Sequence, residues 1–125
     1  MDTVKQKQMA LELLAPYYKN PSLCGYEAGK GCSYLTKEGK MCVAGKCMVN
    51  PANADKNTSI EALLKGFKQE ELFKPEYVGV FTDTQWLILQ TIHDTIARGY
   101  SVELLMQDVE SLGLFTLEEL ASFPV

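Results

Sequence analysis

The clearest helical pattern in this chain covers residues 82–99, TDTQWLILQTIHDTIARG. Thr82 and Gln85 have the spacing of a capping box, in which each side chain satisfies a free backbone amide at the start of a helix. Gly99 suits the left-handed position that commonly ends one. One broad stripe of the helix surface is apolar and consists of Trp86, Ile88, Leu89, Ile92, Ile96 and Ala97. We therefore predict that this helix is the central helix of the fold.

Two further helices are predicted after Gly99. Ser101 is a favourable N-cap, and Gly113 ends the pattern that follows it. The apolar positions of that pattern share one face: Val102, Leu105, Met106, Val109 and Leu112. Thr116 and Glu119 form a second capping box, which predicts a last short helix, LEELASF.

Helices are also predicted before the central one. Residues 3–18 place Val4, Leu11, Leu14 and Ala15 on one stripe. This amphipathic helix should end at Asn20, because the residue before a proline is disfavoured in the helical region. Thr58 and Glu61 predict a capping box and a helix, which Pro75 either closes or interrupts. The stretch EYVGVF that follows is interpreted as a short extended run.

A cysteine- and glycine-rich stretch, GCSYLTKEGKMCVAGKC, occupies residues 31–47. Residues 32–35 and 40–43 are short strand-like runs, and the four residues between them have the length and glycine placement of a β-hairpin turn. We predict an α+β fold, mainly α, with about four to five helices packed around this hairpin. Residues 1–125 should form a single domain, with the cysteine-rich segment at about 24–49 and the helical part at about 58–123.

Composition places the chain among ordinary globular proteins. Of its 125 residues, 46% are apolar and 22% are charged, and no run resembles a signal peptide or a membrane-spanning segment. We therefore expect a cytoplasmic protein with no membrane partner, in which thiols stay reduced. The net charge of −4 conceals an asymmetry: residues 1–50 carry seven lysines against four acidic residues, and residues 51–125 carry five basic against twelve acidic ones.

Lysines and tyrosines are interleaved in and beside the predicted hairpin, where they form a candidate binding surface for a phosphate group or an acidic partner. Its members are Tyr26, Lys30, Tyr34, Lys37, Lys40 and Lys46. The structural alternative is that these lysines keep the hairpin soluble. If the surface binds a nucleotide or nucleic acid, its affinity should fall steeply with salt.

Three interpretations of the four cysteines stay open. In the first, Cys32 and Cys42 are cross-strand neighbours packed under a helix, since free cysteine is among the most buried residue types. In the second, Cys24, Cys32, Cys42 and Cys47 bind zinc, although their spacing lacks the C-x-x-C pairs typical of such sites. In the third, Cys42 or Cys47 is a catalytic nucleophile and His93, the only histidine, is its base. We favour packing, and therefore expect no cofactor and no catalytic residue.

The helical pattern also bears on His93. This residue falls inside the apolar stripe of the central helix, while Asp94 falls on the polar side with Asp83 and Arg98. Adjacent helical positions point about 100° apart, so we expect that Asp94 does not orient the imidazole. This placement favours a hydrogen-bonded core histidine over a catalytic base.

Two stretches, CSYLTKEGKMCVAGKCMV and the later LQTIHDT, resemble a family of small uncharacterised proteins encoded by tailed bacteriophages and prophages. The matching positions are Cys32, Tyr34, Gly39, Cys42, Gly45, His93 and Asp94. The likeness covers roughly residues 31–112; Cys24 has no counterpart in it, and Lys46-Cys47-Met48-Val49 replaces a small-residue and Leu-Ile run. The resemblance implies a phage accessory protein that binds a host component, and it implies no reaction.

We therefore expect a small, non-enzymatic protein of phage type that binds a host protein in the host cytoplasm, as an inhibitor or modulator of a host system such as its defence. The alternatives are a thiol- or metal-dependent enzyme using Cys42 or Cys47 with His93, and a zinc-stapled module that binds nucleotides or nucleic acid.

Overall fold

A computed structural model describes residues 2–27, 31–54 and 58–125, with residues 27, 31 and 32 described by their backbone alone. Its α-helices, in chain order, are α1 (Thr3–Lys19), α2 (Val43–Cys47), α3 (Ile60–Gly66), α4 (Gln69–Leu72), α5 (Asp83–Ala97), α6 (Val102–Leu112) and α7 (Leu117–Ser122). Short 3-10 turns, each beginning at a proline, are Pro21–Leu23, Pro51–Asn53 and Pro75–Tyr77. Strands β1 (Tyr26–Glu27) and β2 (Gly31–Cys32) pair antiparallel. Within the described ranges, no helix combines the length and the apolar character needed to cross a bilayer.

Helix α5 lies at the centre of the fold and contacts α1, α2, α3 and α6. Its predicted capping box is confirmed: Thr82 Oγ1 accepts the N–H of Gln85, and the Gln85 side chain accepts the N–H of Thr82. The inward side of the helix is completely removed from solvent at Trp86, Leu89, Ile92 and His93. The predicted central helix is therefore present. Trp86, Leu89, Ile92 and Ile96 of its stripe are buried, and Ile88 and Ala97 are half-buried.

One continuous cluster of buried side chains extends from α1 to α7. Helix α1 packs on α5 and α7, and Leu14 and Ala15 face this cluster as predicted. Val4, assigned to the same stripe, is 73% exposed. The end of α1 is also as predicted, since Asn20 is its C-cap and Pro21 starts the next turn.

The predicted β-hairpin does not form, and the α+β class based on it is wrong: the fold is mostly helical. Among the described residues of this segment, the only paired strands are β1 and β2, of two residues each, where Tyr26 pairs with Cys32. Single bridges also join Cys24 to Met41 and Met48 to Phe73. Cys32 and Cys42 are therefore not cross-strand neighbours. The turn itself is where the sequence placed it, because the Thr36 N–H donates to the carbonyl of Lys40.

Helix packing explains why the second predicted strand is lost. Cys42 Sγ accepts the Gly45 N–H at 3.4 Å and so caps α2, which begins where the strand was expected to end. Tyr34 is buried, and its hydroxyl donates to the carbonyl of Thr58 at 2.6 Å. A Cβ atom on Gly45 would lie 2.1 Å from the carbonyl oxygen of Tyr34, so α2 sits directly on the chain that was predicted to be the first strand.

Smaller differences concern helix ends and faces. Ser59 caps α3, one residue after the predicted Thr58. Pro75 begins a 3-10 turn, and the extended run predicted after it is absent from the described strands. Val102 and Met106 were assigned to the buried face of α6 but are 60% and 44% exposed. The caps predicted for the last two helices are confirmed at Ser101, Gly113 and Thr116.

Candidate functional site: a buried histidine and an exposed arginine

His93 is fully buried, and both of its ring nitrogens have partners. The backbone N–H of Gly25 donates to Nε2 at 3.1 Å, and because a backbone N–H can only donate, Nε2 carries no proton. Nδ1 lies 2.9 Å from Oδ1 of Asp94, so the ring carries its proton on Nδ1 and donates a hydrogen bond to this carboxylate. The ring of Tyr17 meets the imidazole edge-on, with centroids 4.8 Å apart. His93 thus has the environment of a hydrogen-bonded core residue.

Asp94 does orient the imidazole of His93, which corrects the expectation drawn from helix geometry. Neighbouring positions do point about 100° apart, but the Asp94 side chain lies at the edge of the core, 26% exposed, and reaches the ring of the residue before it. Its Oδ1 also accepts a hydrogen bond from Nε2 of Gln90 at 3.2 Å. Oδ1 of Asp94 therefore accepts hydrogen bonds from both His93 and Gln90.

Gln90, His93 and Asp94 together fasten the cysteine-rich segment to α5, and we call them the His93 clamp. Oε1 of Gln90 accepts the N–H of Ala44, in the first turn of α2, at 3.2 Å. Nε2 of His93 accepts the N–H of Gly25, which precedes β1. One helix thereby fixes two segments that are separated in sequence, the loop before β1 and the start of α2.

Gly25 occupies a place where no side chain fits. A Cβ atom there would lie 2.2 Å from the nitrogen of Cys42 and 2.6 Å from the carbonyl oxygen of Ser33. The three segments are joined by backbone hydrogen bonds, from Ser33 N–H to Gly25 O at 2.8 Å and from Cys42 N–H to Ser33 O at 3.2 Å. The close approach of these backbones requires glycine.

The thiols proposed as nucleophiles are buried. Cys42 and Cys47 are fully buried and Cys24 nearly so. Burial raises the pKa of Cys24 to about 11 and that of Cys47 to about 12, which keeps both thiols protonated at neutral pH. Neither nitrogen of His93 is hydrogen-bonded to any of these three sulfurs. The structure does not assemble Cys42 or Cys47 with His93 into a nucleophile and base.

The zinc alternative required Cys24, Cys32, Cys42 and Cys47. The side chain of Cys32 lies outside the described part of the structure. Among the side chains that are described, no group of three or more His, Cys, Asp or Glu residues is placed to hold a metal ion. A zinc site that includes Cys32 stays a prediction.

The six residues predicted to form a binding surface are found in different environments. Lys30 lies outside the described residues, and Tyr34 is buried. Lys46 is half-buried, with its ammonium 4.7 Å from the ring centre of Tyr17, and burial lowers its pKa. Neither Tyr34 nor Lys46 therefore presents a fully exposed side chain to a binding partner.

Two of the remaining members lie at the turn. Lys37 is exposed, and the ammonium of Lys40 lies 3.4 Å from a carboxylate oxygen of Glu38. Surface ion pairs of this kind contribute little to stability and are typical of solvated turns.

Tyr26, the last member, lies beside Arg98. The guanidinium carbon of Arg98 is 5.5 Å from the ring centre of Tyr26 and 5.7 Å from that of Tyr100, and Nη1 donates to the Tyr100 hydroxyl at 3.2 Å. We call Tyr26, Arg98 and Tyr100 the arginine cluster. Arg98 is exposed, and none of the ion pairs formed by the described side chains includes it.

Sequence reasoning missed this cluster, although one signal was present. Arg98 is the only arginine in the chain, and an aromatic residue follows it closely at the end of α5. Tyr26 could not be assigned to the same place from the sequence. Its position depends on the hydrogen bond from the neighbouring Gly25 N–H to Nε2 of His93. The His93 clamp thus positions one member of the arginine cluster.

The chain after Arg98 exposes large apolar side chains. Tyr100, Val102, Leu104 and Met106 are each between 44% and 60% exposed. We call these four residues, together with Arg98, the α5–α6 corner. Val102 and Met106 are four residues apart on α6 and therefore lie on the same side of the helix.

A separate groove of about 470 Å³ lies between α3, α4 and the chain that follows α2. Val49 and Phe67, which are 52% and 50% exposed, contribute to its lining. The size is ordinary for a small ligand site. Its lining includes the carboxylate of Glu71 but lacks a cationic side chain among the described residues.

Comparison of the chain with family models, with curated proteins and with solved structures gave no match. The resemblance to phage and prophage proteins therefore remains a prediction.

Proposed function

We propose that this protein acts by binding another protein and has no catalytic step of its own. In this proposal it is a phage-type accessory protein that modulates a host component in the host cytoplasm. The observation that carries the proposal is the α5–α6 corner, where Arg98 is exposed in contact with Tyr100 and is followed in sequence by the exposed side chains of Val102 and Met106. Tyrosine, methionine and arginine are the residue types enriched at protein interfaces, and arginine and tyrosine are frequent hot spots.

The interior of the protein supports a binding function over an enzymatic one. The nitrogens of His93 hold Gly25 and Asp94 in place, and the sulfur of Cys42 caps α2. A general base or a nucleophile needs access to a substrate and a free lone pair. These groups instead maintain the fold.

Charge favours a protein partner over nucleic acid. The net charge is −4, and Arg98 is the only cation that the corner contributes. Binding to a phosphate backbone normally draws on several lysines and arginines, and the protein would have to overcome its own negative field. A protein surface that offers apolar contacts and one negative charge suits the corner better.

The test is to capture proteins from a bacterial host lysate on the immobilised protein, purify the main captured protein and measure its affinity. Met106→Glu places a charge in the α5–α6 corner, and we expect it to weaken binding at least about tenfold. Val4→Glu is the matched control, because Val4 is an exposed apolar residue on α1. The control should bind within about twofold of the wild type.

The salt dependence of that affinity provides a second measurement. A contact with a single ion pair should lose only modest affinity between low and physiological salt, whereas a nucleic-acid complex loses several orders of magnitude. The proposal fails if no captured protein binds with a defined stoichiometry. It also fails if both variants weaken binding equally, or if the captured material is nucleic acid with a steep salt dependence.

A further inference from the structure

We infer that the arginine cluster receives a carboxylate of the partner protein, from an aspartate or glutamate side chain flanked by apolar residues. This inference rests on the proposed function and names the chemical group that the partner presents to Tyr26, Arg98 and Tyr100.

The guanidinium of Arg98 is restrained by two tyrosine rings and one hydrogen bond. Two tyrosine rings lie within the range of cation–π contact, at 5.5 Å from Tyr26 and 5.7 Å from Tyr100. Of the N–H donors of Arg98, one is directed to the Tyr100 hydroxyl. A guanidinium that is already restrained by such neighbours loses less conformational freedom when it pairs, which improves affinity.

The arginine cluster carries a positive charge that the described part of the protein does not neutralise. No carboxylate among the described side chains pairs with Arg98, although 16 acidic residues are present in the chain. Arg98 is cationic at every relevant pH, because a guanidinium has a pKa far above neutral, and the hydrogen bond to Tyr100 raises that pKa further. An external anion would complete the pair.

A carboxylate fits better than a phosphate. The fork of a guanidinium matches a carboxylate through two parallel hydrogen bonds, and one guanidinium balances one carboxylate charge. Phosphate recognition usually gathers several cations, as in sites built from arginine clusters. Here a single exposed arginine lies between two tyrosine rings.

The apolar neighbours point to the surroundings of the carboxylate in the partner. Val102 and Met106 are exposed next to Tyr100 in sequence and would pack against apolar side chains that flank the acidic one. Contact with them would exclude water from the ion pair and strengthen it. The partner segment should therefore combine an acidic residue with leucine-like neighbours.

A structural role must be distinguished from this one. Arg98 is the C-cap residue of α5, where a positive charge also stabilises the negative end of the helix dipole. If that were its whole role, replacing Arg98 would lower the free energy of unfolding and leave anion binding unchanged.

The experiment is an NMR titration of the full chain with a short peptide that alternates leucine and glutamate. The matched control peptide carries glutamine in place of glutamate, and inorganic phosphate is titrated in parallel. We expect the glutamate peptide to shift the backbone amides of Tyr26, Gly99 and Tyr100, with the glutamine peptide at least about tenfold weaker.

Variants complete the test. Arg98→Gln should weaken the glutamate peptide at least about tenfold, Arg98→Lys should be intermediate, and Lys65→Gln, which removes an exposed charge on α3, should bind like the wild type. Unfolding curves of each variant confirm that it is folded. Equal binding of both peptides, no effect of Arg98→Gln, or tighter binding of phosphate at these amides overturns the inference.

The outcomes for the two proposals can be told apart. If a captured protein is lost with Met106→Glu but the glutamate peptide does not bind, the carboxylate assignment falls and the binding function stands. If the peptide binds at Arg98 but no captured protein depends on Met106, the anion site stands and the proposed function falls.

Discussion

The backbone N–H of Gly25 donates a hydrogen bond to Nε2 of His93, a contact between residues 68 positions apart in the chain. It joins the loop before β1 to the middle of α5, and Tyr26 is the next residue along. The same helix ends at Arg98. One hydrogen bond in the core therefore helps to determine which residues meet at the surface.

Replacing His93 with leucine should destabilise the protein by about 2–4 kcal/mol, because the buried N–H of Gly25 loses its partner and the carboxylate of Asp94 keeps only the hydrogen bond from Gln90. Urea unfolding measures this change. Asp94→Asn keeps an oxygen acceptor at the same place and should cost less than about 1.5 kcal/mol. An effect of His93→Leu no larger than that of Asp94→Asn would contradict the clamp.

Gly25→Ala should be among the most damaging small substitutions. The new Cβ would lie 2.2 Å from the nitrogen of Cys42 and 2.4 Å from the carbonyl carbon of Met41, both of them backbone atoms that cannot rotate away. We expect a loss of at least about 3 kcal/mol or failure to fold. Gly66→Ala, where nothing lies within 4 Å of the new Cβ, is the matched control and should be neutral or slightly stabilising. Similar melting temperatures for the two variants would show that the three backbones do not approach so closely.

Thiol reactivity tests the enzymatic alternative. Cys32→Ser leaves Cys24, Cys42 and Cys47, all of them buried. At neutral pH we expect these thiols to react with a disulfide reagent at least about a thousandfold more slowly than a free thiol, and rapidly after denaturation. Rapid labelling of Cys42 or Cys47 in the folded protein would instead support the nucleophile hypothesis.

Alkaline pH should destabilise the protein through Cys47. Burial raises its pKa from 9.0 to about 12, so the unfolded chain releases this proton at a lower pH than the folded protein does. The resulting stabilisation is complete below pH 9 and is lost as the pH rises from 9 towards 12, by up to about 1.4 kcal/mol per pH unit. Urea unfolding over this range should therefore show a steeper loss for the wild type than for Cys47→Ala.

The comparison with Cys47→Ala is needed because other groups titrate in the same range. Burial lowers the pKa of Lys46, which changes stability in the opposite direction as the pH rises. The difference in slope between the wild type and the variant isolates the thiol. Equal slopes would mean that the Cys47 thiol ionises as readily in the folded protein as in the unfolded one.

Local features of the sequence predicted much of the helical framework. The bonds between Thr82 and Gln85 and between Thr116 and Glu119 join residues three apart, so their spacing is visible without a structure. The buried stripe of α5 follows from helical periodicity in the same way. His93 was correctly placed in the core because it lies on that stripe.

The predictions that failed depended on contacts between distant segments. Residues 40–43 have the pattern of a short strand, but the close packing of Gly45 on Tyr34 favours a helix at this position. Asp94 was assigned to the polar face by its angle, yet a flexible carboxylate at the border of the core reaches its neighbour. Val102 and Met106 fit the apolar face of α6, but the packing of α6 leaves them in solvent.

By itself, the sequence determined where α1, α5, α6 and α7 begin and end and which face of α5 is buried, because capping and periodicity act over a few residues. The tertiary structure alone decided that Gly25 meets His93, that the described thiols of Cys24, Cys42 and Cys47 are buried, and that Tyr26 and Tyr100 flank Arg98. These contacts join segments that only the packing of the helices brings together, and no short-range pattern encodes the distance between them.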